Sequence, residues 1–279
     1  MGLAVIVTAY RSGGTLRACV ERLREDAEVT QILVADCSET APSLPVPVLQ
    51  FATPTAVPVM RWALLDQVRE PVVACLEGRC VPDRGWGAAI LQSHAEHPDA
   101  AGIGGAVDVE EAARWLDRVV WFCEYAAFAP PLADAPATDI SGAHLSYKTA
   151  ALRAERDLLA AGAWETLLHL RWRGKGVGLR TTGARVEFRN GLRGWDFLRQ
   201  RFQYGRGYAA ARCRTAHRLA LGLMTPALPF VLTYRTARAA GRSGGFLRCL
   251  PGIFFFHTIW SAGELLGYWF GDSKDQHIY

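Results

Sequence analysis

The chain has 279 residues and a mass of 30.6 kDa, the size of one large domain or of one domain with an appendage. Half of its residues are hydrophobic and 21% are charged, which excludes a disordered or low-complexity chain. The net charge of +4 is too mild to mark a nucleic-acid binder, yet it conceals a split: residues 189–279 hold 13 Lys/Arg against 4 Asp/Glu, and residues 1–188 hold 18 against 23. A mildly acidic body with a basic C-terminal third implies two jobs, the second facing something anionic.

The run Leu3–Thr8 (LAVIVT) is β-branched and apolar, the pattern of a buried parallel strand. Apolar residues at 16, 19, 20 and 23 mark a helix over Thr15–Asp26. Strands are expected at Gln31–Ala35, Val46–Phe51, Val72–Leu76 and Ala101–Val107, with helices over Val59–Val68 and Gly85–His97 between them. Such alternation indicates an open α/β sheet, in which ligands sit at the carboxyl ends of the strands. The loops after residues 8, 35 and 76 are therefore the ones to inspect. Met1 leads straight into the first strand, with no signal-peptide pattern. Seven cysteines (19, 37, 75, 80, 123, 213 and 249) include no CxxC pair, so reduced thiols are expected rather than disulfides or zinc.

From residue 108 the pattern changes. A helix is expected over Ala112–Ala127, a Pro/Ala-rich loop over 129–138, a strand over Ser141–Tyr147, and helices over Thr149–Ala160 and Trp164–Arg173. Short strands are expected at Val177–Thr181 and Arg185–Phe188. After residue 190 the strands stop. Trp195–Arg214 is rich in Arg and aromatics, and Leu219–Tyr234 has no charge but contains Pro226 and Pro229. Cys249–Gly271 is interrupted only by His257 and Glu264. Arg235, Arg238, Arg242 and Arg248 lie between or beside these apolar runs. Arg next to apolar aromatic segments is the pattern of an element lying in the cytoplasmic membrane interface. A buried helical cap or an interface in a homo-oligomer is the alternative.

The segments VIVTAYRSGGTL (5–16), ILVADCSET (32–40), VPVMRWALL (57–65), VVACLEGRCVPDRGW (72–86), DISGAHLSYKTAAL (139–152), GAWETLLHLRWRGKGVGL (162–179) and GWDFLRQRFQYGRGYAAAR (194–212) follow in order. Their order and spacing resemble the family 2 glycosyltransferases of GT-A fold. The resemblance implies a nucleotide-diphospho-sugar transferase-like α/β domain over 1–190, with a single mixed sheet flanked by helices. A C-terminal helical, membrane-associating region follows over 191–279. It places Thr8, Tyr10 and Asp36 beside the donor nucleotide, and Arg61 near the donor diphosphate, where a guanidinium can make paired hydrogen bonds. Asp36 as a turn residue and Arg61 as a surface helix residue are the plain alternatives.

The family's Asp-x-Asp metal motif falls on Glu77-Gly78-Arg79. Glu77 keeps a carboxylate for Mg or Mn, but Arg79 replaces the second acid and cannot bind a metal. Either Arg79 supplies the positive charge that a metal would give the leaving diphosphate, or the site has degenerated and the chain is a binding or scaffolding subunit. An internal Glu77–Arg79 ion pair is the bland reading. On the acceptor side the resemblance places His144, with Gly142, Ser146 and Lys148 in the same pattern. Glu165 matches the family's acid and is the candidate catalytic base, although Thr166 stands where an Asp often follows, and a carboxylate also simply suits a helix N-terminus. Gln203 and Arg206 match a Gln-x-x-Arg segment that closes over the diphosphate or the acceptor. The reading is an inverting glycosyltransferase at the cytoplasmic face of the cell inner membrane, with a nucleotide-sugar donor and a lipid, polyprenol or other amphiphilic acceptor. No nucleic acid is expected as partner. A nucleotidyltransferase would need a richer basic loop than Arg11-Ser12-Gly13-Gly14.

Overall fold

A computed structural model describes residues 2–53, 55–212, 218–241 and 245–271, so Cys213, Arg214 and Arg242 lie outside the described residues. In chain order the elements are β1 (Leu3–Ala9), α1 (Gly13–Glu25), β2 (Val29–Asp36), β3 (Val48–Gln50), α2 (Val57–Ala63), β4 (Val72–Glu77), β5 (Cys80–Pro82) and α3 (Trp86–Glu96). There follow β6 (Ala100–Val109), α4 (Trp115–Tyr125), β7 (Ala135–Ala137), β8 (His144–Lys148), α5 (Thr149–Arg153), α6 (Arg156–Ala160), α7 (Glu165–Gly174) and β9 (Gly178–Phe188). Four further helices close the chain: α8 (Gly194–Arg212), α9 (Arg218–Met224), α10 (Leu228–Ala240) and α11 (Phe246–Phe270).

The chain divides into two compact units: Met1–Glu110 with Phe128–Gly191, and Glu111–Ala127 with Leu192–Tyr279. The second unit thus takes in α4, a segment that a boundary at residue 190 would leave with the sheet. The reason is packing: α4 lies against α11, and Val119, Val120, Trp121 and Phe122 are buried in that unit.

The first unit is a nine-stranded mixed sheet in the order β3-β2-β1-β4-β8-β6-β9-β5, with β7 also on β9. β3, β2, β1 and β4 run parallel. β8 is antiparallel to both β4 and β6, and β9 is parallel to β6. β1 is buried along its whole length, as the apolar run requires of a central parallel strand. The two short strands expected near the end are one strand, β9. A bulge lies between its halves, where Gly104 pairs with Thr181 but Ala106 pairs with Arg185. The helix expected over Thr149–Ala160 is two, α5 and α6, because Glu155 leaves helical geometry and turns its carboxylate inward. The described cysteines are free, and burial pushes the Cys19 and Cys75 thiols up to about 12 and about 11.

The second unit is helical among its described residues, with α11 at its centre against α8, α10 and α4. By length and composition α11 could cross a membrane, but 44% of its most apolar 18-residue window is buried inside the protein. Its polar residues have internal partners. The Glu264 carboxylate accepts hydrogen bonds from Trp260 Nε1 at 2.5 Å and Tyr268 Oη at 3.1 Å. His257 Nδ1 lies 3.3 Å from an Arg201 guanidinium nitrogen, and its Nε2 lies 3.1 Å from Thr236 Oγ1. Arg201 also pairs with Glu124 at 2.8 Å and stacks on Trp260 at 4.3 Å.

Candidate active site

The carboxyl ends of β1, β2 and β4 are stitched together by backbone bonds. Cys37 N donates to Ala9 O at 3.1 Å, and Gly78 N donates to Thr8 O at 2.8 Å. Gly78 has to be glycine here: a Cβ would sit 2.9 Å from that of Ala9 and 3.1 Å from Leu16 Cδ1. The middle residue of Glu77-Gly78-Arg79 is therefore fixed by the approach of the neighbouring strand. Thr8 is buried, its hydroxyl 3.5 Å from the Leu76 carbonyl.

Asp36 is 1% exposed and its carboxylate organises the loop that follows it. It accepts from Ser38 N at 2.9 Å, Ser38 Oγ at 2.8 Å and Gln50 Nε2 at 3.2 Å. Ser38 Oγ in turn accepts from Arg11 N at 2.8 Å, and Arg11 makes a two-pronged ion pair with Glu39. The loops after β1 and β2 are thus clamped to each other. Tyr10 is half-buried there, with the Arg11 guanidinium 5.0 Å from its ring centre. Ser38, Gln50, Arg11 and Glu39 join Asp36 in this turn network, residues that the family motifs do not single out.

Three segments distant in sequence converge beside the end of β4. Glu77 N bonds Ala143 O at 3.3 Å, bringing the 141–143 turn to the strand end. The Arg61 guanidinium, from α2, donates to Gly142 O at 2.9 Å and to Glu165 Oε2 at 3.2 Å. Gly142 leaves space for this carboxylate, since a Cβ there would lie 2.0 Å from Glu165 Oε1. The pair is well shielded, with the Arg61 side chain 1% and the Glu165 side chain 12% exposed. The pKa of Arg61 is raised: burial, the largest influence, would lower it, but the charge of Glu165, aided by Cys75, Tyr147 and Glu77, reverses the direction. Arg61 is thus not a surface arginine open to phosphate. Its guanidinium is bonded to the Glu165 carboxylate and to the Gly142 carbonyl.

Glu165 opens α7, and that helix is anchored on several sides. Trp62 Nε1 donates to Ala163 O at 2.9 Å, tying α2 to the turn before α7. His169, one turn after Glu165, joins Tyr147 Oη at 2.6 Å through Nε2 and the Asp139 carboxylate through Nδ1. Burial raises the Tyr147 pKa well above its usual value. The Glu155 carboxylate accepts from Trp172 Nε1 at 3.2 Å and Lys175 Nζ at 2.5 Å, and pairs with Arg171 at 2.9 Å.

Arg79 does pair with Glu77, at 3.0 Å, and its guanidinium lies 5.5 Å from the Phe188 ring centre. Glu77 is the one carboxylate left in this motif, Arg79 pairs with it, and among the described residues Glu77 belongs to no cluster of three His, Cys, Asp or Glu ligands, so a divalent ion here would depend on donor phosphates for most of its ligands. The cluster that exists, Glu96, His97 and Asp134, is elsewhere on the first unit, and its Asp134 carboxylate is already held by Arg180 at 2.8 Å.

His144 is a core residue rather than an acceptor contact. It is fully buried, Trp86 Nε1 donates to its Nε2 at 2.7 Å, and its Nδ1 bonds Ala106 O at 3.0 Å. An indole nitrogen only donates, so Nε2 must stay unprotonated, and burial holds the pKa down to about 4. Gln203 and Arg206 are half-buried on α8 in the second unit, where Arg206 Nε donates to Gly271 O at 3.1 Å.

No protein-family model and no curated protein sequence matches the chain. Solved structures do. The mannosyltransferase PcManGT from Pyrobaculum calidifontis, in complex with GDP-Man and Mn2+, superposes with a TM-score of 0.59 at 14% identity over 96% of this chain and 87% of its own. TarS of S. aureus superposes with a TM-score of 0.51 at 13% identity, over 94% of this chain and 55% of TarS, so the chain spans about half of that protein's length. At such identities the likeness establishes the fold. The protein has a GT-A-type α/β architecture, a mixed sheet flanked by helices.

Proposed function

We propose that the protein is a divergent family 2 glycosyltransferase that moves a sugar from a nucleotide-diphospho-sugar to an acceptor hydroxyl. The observation that carries this reading is the convergence of Arg61, Gly142 and Glu165 beside the carboxyl end of β4. In a GT-A fold that edge is where a nucleotide-linked substrate would lie. Glu165 removes the acceptor proton as the acceptor oxygen bonds to the anomeric carbon. The bond from that carbon to the diphosphate oxygen breaks, the nucleoside diphosphate leaves with the electron pair, and the configuration inverts. Arg61 holds the carboxylate at the required place. Arg79, with Glu77 beside it, supplies fixed positive charge toward the leaving diphosphate. Asp36, Thr8 and Tyr10 shape the nucleotide side. The acceptor is amphiphilic and is met at the cytoplasmic membrane face, a reading supported by the apolar, arginine-rich surface of the second unit.

The test is release of nucleoside diphosphate across a donor panel, with and without a chelator, for the wild type and for Glu165→Gln. General-base loss lowers turnover by about 100- to 10,000-fold, while calorimetric binding of the donor persists. Equal turnover in chelator is expected if Arg79 takes the metal's place. Absence of binding to any nucleotide-sugar overturns the reading. Binding without turnover would favour the alternative, a non-catalytic binding subunit, for which the Glu77-Gly78-Arg79 departure is the motivation.

A further inference from the structure

Between α4 and α11 the second unit has a cavity of about 440 Å³ lined by Trp115, Arg118, Gly245, Arg248 and Cys249. Arg118 from α4 and Arg248 from α11 both line it, and among the described residues no carboxylate does. Arg248 is exposed; Arg118 is half-buried and donates to the Glu111 carbonyl at 2.8 Å. Trp115 is half exposed, and its indole nitrogen donates to the Arg248 carbonyl at 3.0 Å, so the ring is held at the groove rather than left to rotate.

The second unit is apolar and cationic together among its exposed described residues. Leu247, next to Arg248, is 79% exposed. On α10 and α11, Phe230 and Phe254 pack edge to face at 5.1 Å while both remain open to solvent. The stretch from 197 to 263 contains ten arginines and no Asp or Glu. A site for a soluble anion has no use for protruding Leu and Phe. A bilayer surface accounts for both features, since its acyl boundary takes the apolar side chains and its phosphates take the arginines.

We propose that this groove receives the phosphate of an anionic phospholipid, with the surrounding apolar side chains entering the acyl boundary, so that the second unit docks on the membrane by a defined headgroup contact. The inference deepens the membrane-face reading of the proposed function, and names the partner. Guanidinium pairs suit it because they give phosphate oxygens paired, charge-assisted hydrogen bonds.

The experiment is flotation of the full chain with vesicles of phosphatidylcholine, or of equal parts phosphatidylcholine and phosphatidylglycerol. The wild type is expected to float with the anionic vesicles only. The double variant Arg118→Gln/Arg248→Gln should partition well over about 30-fold more weakly, because the paired headgroup contact is lost on top of the about fivefold per arginine that diffuse attraction to an anionic surface supplies. Arg235→Gln/Arg238→Gln, which removes the same charge from exposed positions outside the groove, should lose no more than that diffuse part, about 30-fold. Equal losses in the two double variants would overturn the groove in favour of a diffuse field. Failure of the wild type to float also overturns the proposal, whether calorimetry then shows inorganic phosphate in the groove or light scattering shows a dimer using this face. Donor binding is measured on the same samples. Its retention in a variant that no longer floats separates loss of docking from loss of the sugar-transfer reading.

Discussion

The two units solve opposite problems with their side chains. In the first, charged and polar groups are drawn inward and matched: Arg61 with Glu165, Asp36 with Ser38, Glu155 with Trp172 and Lys175. In the second, large apolar groups are pushed outward. Of the seventeen exposed large hydrophobic residues among those described, thirteen belong to the second unit, among them Leu223, Met224, Phe230, Leu247 and Phe270. Scattered apolar residues need no explanation, but a concentration of this kind marks a surface made to be covered. On the proposed function the contrast separates chemistry from docking: inward pairing would fix the geometry of the reacting group, and outward apolar exposure would mark where the protein rests.

Glu155→Ala should break the first half of that contrast most severely. The carboxylate is buried and holds α7 through Trp172, Arg171 and Lys175. Removing one partner of a buried charge pair costs about 3 to 5 kcal/mol. Arg171 and Lys175 are partly exposed and can rehydrate, which points to the lower end, about 3 kcal/mol. Urea unfolding checks this. A loss below about 1 kcal/mol would mean that the inward pairing is incidental to the stability of the first unit. Glu155→Gln, which keeps an acceptor for the indole, should lose less.

Gly142→Ala sharpens the contrast at the level of chemistry. The new Cβ would meet only the flexible end of Glu165, 2.0 Å away, so the fold can yield by displacing the carboxylate. Misplacing a catalytic group by about an ångström costs on the order of 100-fold in rate. Turnover should therefore fall by about 100-fold, with donor binding and anionic-vesicle flotation unchanged. Retained turnover would remove Glu165 from the role of base. Altered flotation would show that the site and the docking surface are not separable.

Much of this was legible in the sequence, and what was hidden has physical reasons. Apolar β-branched runs announced the long strands, and the ordered motifs singled out Arg61, Gly142 and Glu165, each in a separate segment and role. β5 and β7 are three residues each, too short to show a period, and Pro82 and Pro136 within them argue against strands. Each pairs with only part of β9, at the edge of the sheet. The helical pattern of α4 shows an apolar face but not which core receives it. A lone histidine carries no mark of its partners, so the sequence alone does not reveal that Trp86 and Ala106 occupy the two nitrogens of His144. The partners of Arg61 were hidden for the same reason: the motif places it near diphosphate and carries no sign of its bonds to Glu165 and Gly142.

The smallest expected effect per residue is a dependence on pH, which buried histidines give to both units: His144 and His94 in the first and His257 in the second. His144 and His94 both have pKa values lowered by burial to about 4, from the ordinary 6.5. His94 Nε2 meets Ser146 Oγ at 3.0 Å, and its Nδ1 is buried without a hydrogen-bond partner. Between pH 6.5 and 4 the unfolded chain binds a proton at each site that the folded chain refuses. Stability is therefore fully present above pH 6.5 and is lost as pH falls toward 4. At pH 5 the loss is about 2 kcal/mol for each histidine. Thermal unfolding from pH 7.5 down to 5 should show a falling midpoint, and His144→Gln should flatten the slope whatever its effect at pH 7.5. An unchanged slope would mean that Trp86 and Ala106 do not keep the ring neutral, and that His144 is open to solvent as an acceptor-side residue would be.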